Sequence, residues 1–170
     1  MILKIKRRST ITALILGLML VFSIEVSASL QEKFEIINNV PKLLKIEEFS
    51  FSIDSYDDEI TYSINLKNNT DQTIEAYGIA FVVFDYFNER CTGLTGVSHN
   101  KIKSGGSDSG RWSNSDYSAW QGLTGFAFIS KMRLEDGTVV KADTKEIASK
   151  MSEILGDTIN SEELIKEKQN

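Results

Sequence analysis

From Ile60 the chain reads ITYSINLKN, in which Ile60, Tyr62, Ile64 and Leu66 alternate with Thr61, Ser63, Asn65 and Lys67. A period of two puts each set on its own face of a pleated strand, so this segment is read as a half-buried antiparallel strand. Ahead of it, KIEEFSFSID has Ile46, Phe49, Phe51 and Ile53 in apolar places, with a slip of phase at Glu47-Glu48 that predicts a bulge. TIEAYGIAFVVFDYF is apolar almost throughout. Tyr77, Ile79, Phe81 and Val83 fall on one face, and Ala76, Gly78, Ala80, Val82 and Phe84 on the other. A strand covered on both sides has this pattern. Weaker strand patterns cover Cys91–Val97 and His99–Lys103. FAFISKMRL and TVVKAD flank Glu135-Asp136-Gly137, and an Asp-Gly pair suits the positive φ angles of a tight hairpin.

From Asp143 the period lengthens. Ile147, Met151, Ile154 and Leu155 recur at helical intervals, Asp143 and Glu146 have capping-box spacing, and Gly156 is a stop. A second short helix is expected from Asn160 through SEELIKEK. Residues 29–43, with the only proline at Pro41, read as a lead-in segment with a short helical turn. The expected order is residues 1–28 as a signal peptide, 29–43 as lead-in, 44–142 as the domain and 143–170 as a helical tail. About seven short strands with turn signals between them, and no alternation of strand with helix, predict a mainly β fold. It is an antiparallel Ig-like β-sandwich with a short C-terminal helical segment. A closed barrel is the runner-up.

The N-terminus sets the compartment. Lys4, Lys6, Arg7 and Arg8 precede an apolar run from Ile11 to Ile24, and Val26-Ser27-Ala28 supplies small residues at a signal-peptidase site. The run is short against the roughly 20 residues that span a bilayer. Export with cleavage after Ala28 is the expectation, and an uncleaved N-terminal anchor the alternative. Cleavage removes four of the 19 basic residues and one of the 24 acidic ones, so the net charge goes from −5 to −8. An acidic chain of this kind is not built for nucleic acid, and has no charge-driven affinity for anionic lipid beyond the signal segment. Its single cysteine, Cys91, excludes an internal disulfide, so packing alone must hold the fold.

One stretch carries a resemblance. INLKNNTDQTIEAYGIAFVVFDYFNER looks like the extracytoplasmic Ig-like modules of the FxLYD type, with a strand, an Asn-rich turn, and a long apolar strand ending in an aromatic-Asp pair. It is also similar to bacterial domains of unknown function in which a Gly/Ser-rich turn precedes a basic residue and Trp. Phe84-Asp85 and Arg111-Trp112 occupy those places. The likeness spans roughly residues 45–142 and implies a sandwich fold in an exported protein. The chain lacks the proline or acidic residue that such patterns often carry at Gly105-Gly106.

Candidate chemistry is sparse. Gly105 and Gly110 have phosphate-loop spacing, but Arg111-Trp112 comes next, where Lys-Ser/Thr and a helix are needed. GGSDSG is instead expected to be a hairpin-type loop, with Trp112 opening the next strand and entering the core. Beyond it, Asn114, Asp116, Tyr117 and Trp120 form the candidate binding site, because aromatic faces among short polar side chains suit a sugar or protein surface. Trp120 is expected nearer the surface than Trp112, and the competing reading has Tyr117 and Trp120 closing the core. Cys91 and the only histidine, His99, are read as structural rather than as a catalytic pair. Asp54, Asp57, Asp58 and Glu59 crowd one turn and are read as a solvated acidic turn rather than a calcium site. Asn68-Asn69-Thr70 matches a glycosylation sequon but reads as a turn. No cofactor or metal is called for. The reading is a secreted, non-enzymatic binding module with an envelope protein or cell-wall glycan as partner. Its rivals are a polysaccharide hydrolase with unidentified carboxylates and a structural accessory domain of an envelope assembly.

Overall fold

The computed structural model describes residues 33–54, 56, 59–115, 122–162 and 164. In chain order they form β1 (Lys33–Ile37), β2 (Leu44–Asp54), β3 (Glu59–Asn68), β4 (Ile74–Phe84), β5 (Arg90–Ser98), β6 (Ser107–Ser115), β7 (Thr124–Leu134), β8 (Val139–Lys141) and α1 (Thr144–Leu155). The strands make two sheets that pack as a sandwich, one in the order β2-β3-β6 and the other β1-β7-β4-β5. β1 and β8 share one edge of β7: β1 runs parallel to Thr124–Phe128, and β8 lies antiparallel to Lys131–Arg133. If β2 to β8 are lettered A to G, the sheets read A-B-E and G-F-C-D. That is immunoglobulin-type connectivity in which the fourth strand stays beside its hairpin partner C.

The expected alternations are met. On β3, Ile60, Tyr62, Ile64 and Leu66 are buried while their neighbours are not. The slip in β2 is a register shift between Ile46 and Glu48. β4 is covered on both faces. Tyr77, Ile79, Phe81 and Val83 join the core between the sheets, whereas Ala80, Val82 and Phe84 join a second core with Phe126, Phe128 and the helix residues Ile147, Ala148 and Met151. Asp143 caps α1 by accepting from the Lys145 and Glu146 backbone N–H groups, and Gly156 ends it in the left-handed region at φ 71°. Glu146 is drawn to Lys150, at 2.7 Å, one turn on.

Three expectations are corrected. The lead-in segment holds a strand, β1, ahead of its expected helical turn, in which the Leu43 and Leu44 N–H groups donate to the Val40 carbonyl. His99–Lys103 is no strand; only Ile102 bridges, to Ile74. β6 begins at Ser107, so SDSG is strand and not loop. Of the second helix expected from Asn160, residues 161–162 form a turn, Leu164 is 2 % exposed and joins the outer core, and the rest lies outside the described residues. The reason for β1 lies in two asparagines after it. The Asn39 side chain donates to the Ile129 carbonyl and accepts from the Ile129 N–H, at 2.8 and 3.2 Å. Asn38 does the same for Ile46, at 3.2 and 2.9 Å. One amide therefore continues the edge of each sheet, satisfying backbone groups left open at the end of β1 and at the β2 bulge.

Asn68 secures the opposite corner. Its side chain is fully buried; Nδ2 lies within reach of the Gln72, Ile102 and Lys103 carbonyls, and Oδ1 accepts from the Thr70 N–H. This geometry makes the sequon asparagine a structural corner with no room for a glycan. Asn68→Ala empties a fully buried site, takes one of two donors from each of these carbonyls and leaves the Thr70 N–H without its acceptor, and is expected to cost about 2–3 kcal/mol. Urea unfolding at unchanged m-value measures this, and a loss no larger than that of an ordinary surface substitution refutes it.

Candidate functional site

The Gly/Ser-rich run resolves into a turn and then a packing device. Gly105 takes φ 64° at the turn. Trp112 lies on the inward side of β6, half-buried, its ring 5.7 Å from that of Phe81. A Cβ on Gly96 of β5 would stand 2.6 Å from the indole, and one on Gly110 would come closer still. The two glycines thus make the bed on which the ring lies, bridging the seam between the edge strands of the two sheets. A glycine two residues before an aromatic on an edge strand is filled by that aromatic. Gly110 leads into strand, not helix, so the phosphate-loop geometry is absent. Trp112 reaches the core as expected, but from the middle of its strand.

Three connections meet at one end of the sandwich. The register joins Asp54 to Glu59, Glu59 to Ser115, and Phe84 to both Arg90 and Thr124. The strand ends that flank the β2–β3 turn, the β4–β5 turn and the β6–β7 connection are therefore neighbours. Tyr56 is 93 % exposed here, Phe87 81 % and Tyr86 52 %. Their backbones are fixed. Asp54 Oδ1 accepts from Tyr56 N–H at 2.9 Å, and Asp85 Oδ1 accepts from the N–H groups of Phe87 and Glu89 at 2.8 and 2.9 Å. Asn88 adopts φ 62° and reaches the Leu155 carbonyl at the end of α1. Of the site residues expected from sequence, Asn114 ends β6 and points to Thr92 Oγ1 at 3.4 Å, placing it at this same end. Asp116, Tyr117 and Trp120 lie outside the described residues, as do Asp57 and Asp58. Tyr56, Tyr86 and Phe87 were missed in the sequence because an aromatic in a turn has no periodicity to betray its exposure.

Other candidates separate. Cys91 is buried with its Sγ 3.3 Å from the Val83 carbonyl. His99 is exposed beyond the far end of the same strand, about 26 Å off at ~3.3 Å per residue. Among the described residues no three His, Cys, Asp or Glu side chains are grouped to hold a metal. Tyr77 donates from its hydroxyl to Asp108 Oδ2 at 2.7 Å across the two sheets, and burial pushes its phenol well above the usual value of 10.0. A tyrosine so held is a neutral cross-sheet strut.

A second surface lies at the other end. A groove of about 190 Å³ opens on the outer face of the larger sheet, lined by Ala76, Val97, His99, Lys131, Arg133 and Val139. These residues come from four strands or their ends, and none was marked as a binding residue in the sequence, where His99 was weighed only as a partner for Cys91.

No family model matches the chain, and no curated protein matches it. Among solved structures, it is similar to a hypothetical protein of Peptoclostridium difficile, at 11% identity and TM-score 0.44, over 71% of this chain and 95% of that one. It is also similar to Campylobacter jejuni cj0090, at 16% identity and TM-score 0.38, over 58% and 97%, and to the structural-genomics target SoR45, at 14% and 0.42, over 58% and 80%. None of these likenesses carries a functional argument.

The indole bed gives a double-mutant test. Trp112→Ala is expected to cost about 2–3 kcal/mol, below the range for a fully buried aromatic because the ring is half-buried. Gly110→Ala should destabilise the wild type strongly and the Trp112→Ala variant by about 1 kcal/mol less or better, the coupling expected of direct contact. Additive effects in denaturant unfolding would show that the ring does not rest on Gly110.

Proposed function

We propose that this chain is an extracytoplasmic, non-enzymatic binding module whose turn-bearing end engages an envelope protein or a cell-wall glycan. The observation that carries the reading is the set of exposed aromatic side chains on that end, Tyr56, Tyr86 and Phe87. Large apolar side chains left in water on rigid turns cost solubility, and rigid rings lose little entropy when a partner covers them. Asn114, expected from sequence to belong to the site, lies near the end of β6 at this same end. The basic and apolar N-terminus supports export, and the resemblance of residues 45–142 to FxLYD-type modules agrees with a sandwich that works outside the cytoplasm.

Two measurements test this. Intact mass of the extracellular protein should show Ser29 as its first residue, whereas a chain still carrying residues 1–28 would be anchored. The double variant Tyr56→Ser, Phe87→Ser should unfold within about 0.5 kcal/mol of wild type, as expected of exposed positions. It should nonetheless lose co-sedimentation with cell-wall sacculi or retention on immobilised envelope proteins. Unchanged binding in both assays overturns the assignment to this end.

A further inference from the structure

The helix covers only part of the sheet on which it packs. Its start is tied beside the middle of β7, where the Ala142 N–H donates to the Ser130 carbonyl, and its end lies at the β4–β5 turn, where Asn88 reaches Leu155. The half of the face toward Ala76 has no cover among the described residues, and there the groove opens. Its apolar floor is Ala76 with Val97 and Val139, the latter two 44% and 50% exposed. Its rim is cationic in an acidic protein. Lys131 stands directly opposite Lys141, and Arg133 opposite Val139; His99 and Lys101 flank the other side. The one carboxylate on this rim among the described residues is Glu75, which is already shared between Lys101 at 3.1 Å and Arg133 at 3.8 Å. Asp143, at the start of α1, is occupied in capping. Two lysines opposed across a strand pair repel, and among the described residues neither has an anionic partner.

A further feature lies beside this groove. A Cβ on Gly78 would fall 2.7 Å from Ser130 Oγ and just over 3 Å from the Lys131 stem. Ser130 is 7 % exposed, and its hydroxyl has no partner among the described residues. The glycine therefore leaves room beside the groove for an unsatisfied, buried hydroxyl next to the stem of Lys131, which lines it. Buried hydroxyls are normally paired, so an open one beside unpaired cations marks a place where an acceptor is expected.

We propose that this uncovered half-face is a docking groove for an acidic peptide segment of a partner protein. An apolar side chain rests on Ala76, Val97 and Val139, and carboxylates meet Lys131 and Arg133, with His99 as a further donor. The volume is below the roughly 300–1,000 Å³ of sites that engulf a whole small ligand, which suits one side chain of a longer occupant. Sugar recognition is disfavoured because no exposed Tyr, Trp or Phe ring lines the groove among the described residues: Tyr77 borders it but is buried in the core and tied to Asp108. The site lies at the end opposite Tyr56 and Phe87, so it stands or falls independently of the binding role proposed for those aromatics.

The probe is an acetylated, amidated peptide of alternating leucine and glutamate, with a leucine–glutamine counterpart as control. In NMR titrations of the purified protein, the glutamate peptide should shift the amides of Ala76, Val97, His99 and Val139. It should bind about tenfold more tightly than the glutamine peptide, the scale of one charge-assisted bond, and weaken as salt is raised. Lys131→Glu should abolish the shifts. Because the new carboxylate would face Lys141, this variant should melt no lower than wild type, which separates lost binding from lost folding. Equal binding of the two peptides, shifts confined to the turns at the other end, or wild-type binding by Lys131→Glu would each overturn the proposal. So would adhesion to phosphatidylglycerol vesicles with no response to the peptide, which would make the groove a lipid-facing surface.

Discussion

Phe81 is the contact on which the sandwich turns. Its ring stacks on Tyr62 at 4.6 Å and on Phe49 at 5.8 Å, and Trp112 leans on it at 5.7 Å. Those three residues come from all the strands of the smaller sheet, so one side chain of β4 touches β3, β2 and β6 together. A chain with a single cysteine has no covalent staple, and its stability must come from area removed from water. Phe81 gathers that area between the sheets. The glycines at 96 and 110 are a consequence, since the indole can reach Phe81 only by lying flat over positions that carry no Cβ.

The same strand sets the order of layers. β4 pairs with β5 and β7 along its edges and buries both faces, one in each core. Covering its outer face needs the helix, and the helix needs the tail: Leu164 returns to that core beside Ile147 and Met151. The C-terminal segment is thus part of the domain rather than an appendage to it. The parallel strand β1 extends the outer core through Ile37 and hands the chain to the smaller sheet through Asn38 and Asn39. It works as a buckle between layers.

Legibility in the sequence divides along physical lines. β3, β4 and α1 were legible because each buries a continuous face, and burial imposes a period. β1 was not, since its parallel pairing with β7 is decided by a strand some 90 residues away, and Asn38-Asn39 looks like turn chemistry until its partners are in place. β6 was hidden by its own composition. An edge strand paired on one side, with serines outward and a glycine under a tryptophan, has almost no apolar contrast. The candidate site was legible only in part for a related reason. Asn114 sits at the end that carries the exposed aromatics, but Tyr56, Tyr86 and Phe87 are irregular turn positions. The groove residues looked like ordinary solvent positions, because His99, Lys131 and Val139 are brought together only by pairing.

The half-covered face arises from a mismatch of lengths. A helix of 12 residues at about 1.5 Å per residue is ~18 Å long, whereas a strand of 11 residues at about 3.3 Å is ~36 Å long. One such helix, anchored at the Asn88 turn, stops short of the Ala76 end of β4 among the described residues. The sequence of β4 reflects this division. Val82 and Phe84 lie under the helix, while beyond it the same face carries Gly78, buried beside the Lys131 stem, and the half-buried Ala76. Solubility alone would be served by charges of both signs on the neighbouring strands. The neighbours are instead Lys131, Arg133 and Lys141 around a small-residue floor, in a protein whose net charge is negative. Mutual repulsion there is a cost that the sandwich does not need for its own cohesion, and it is relieved when an anion arrives.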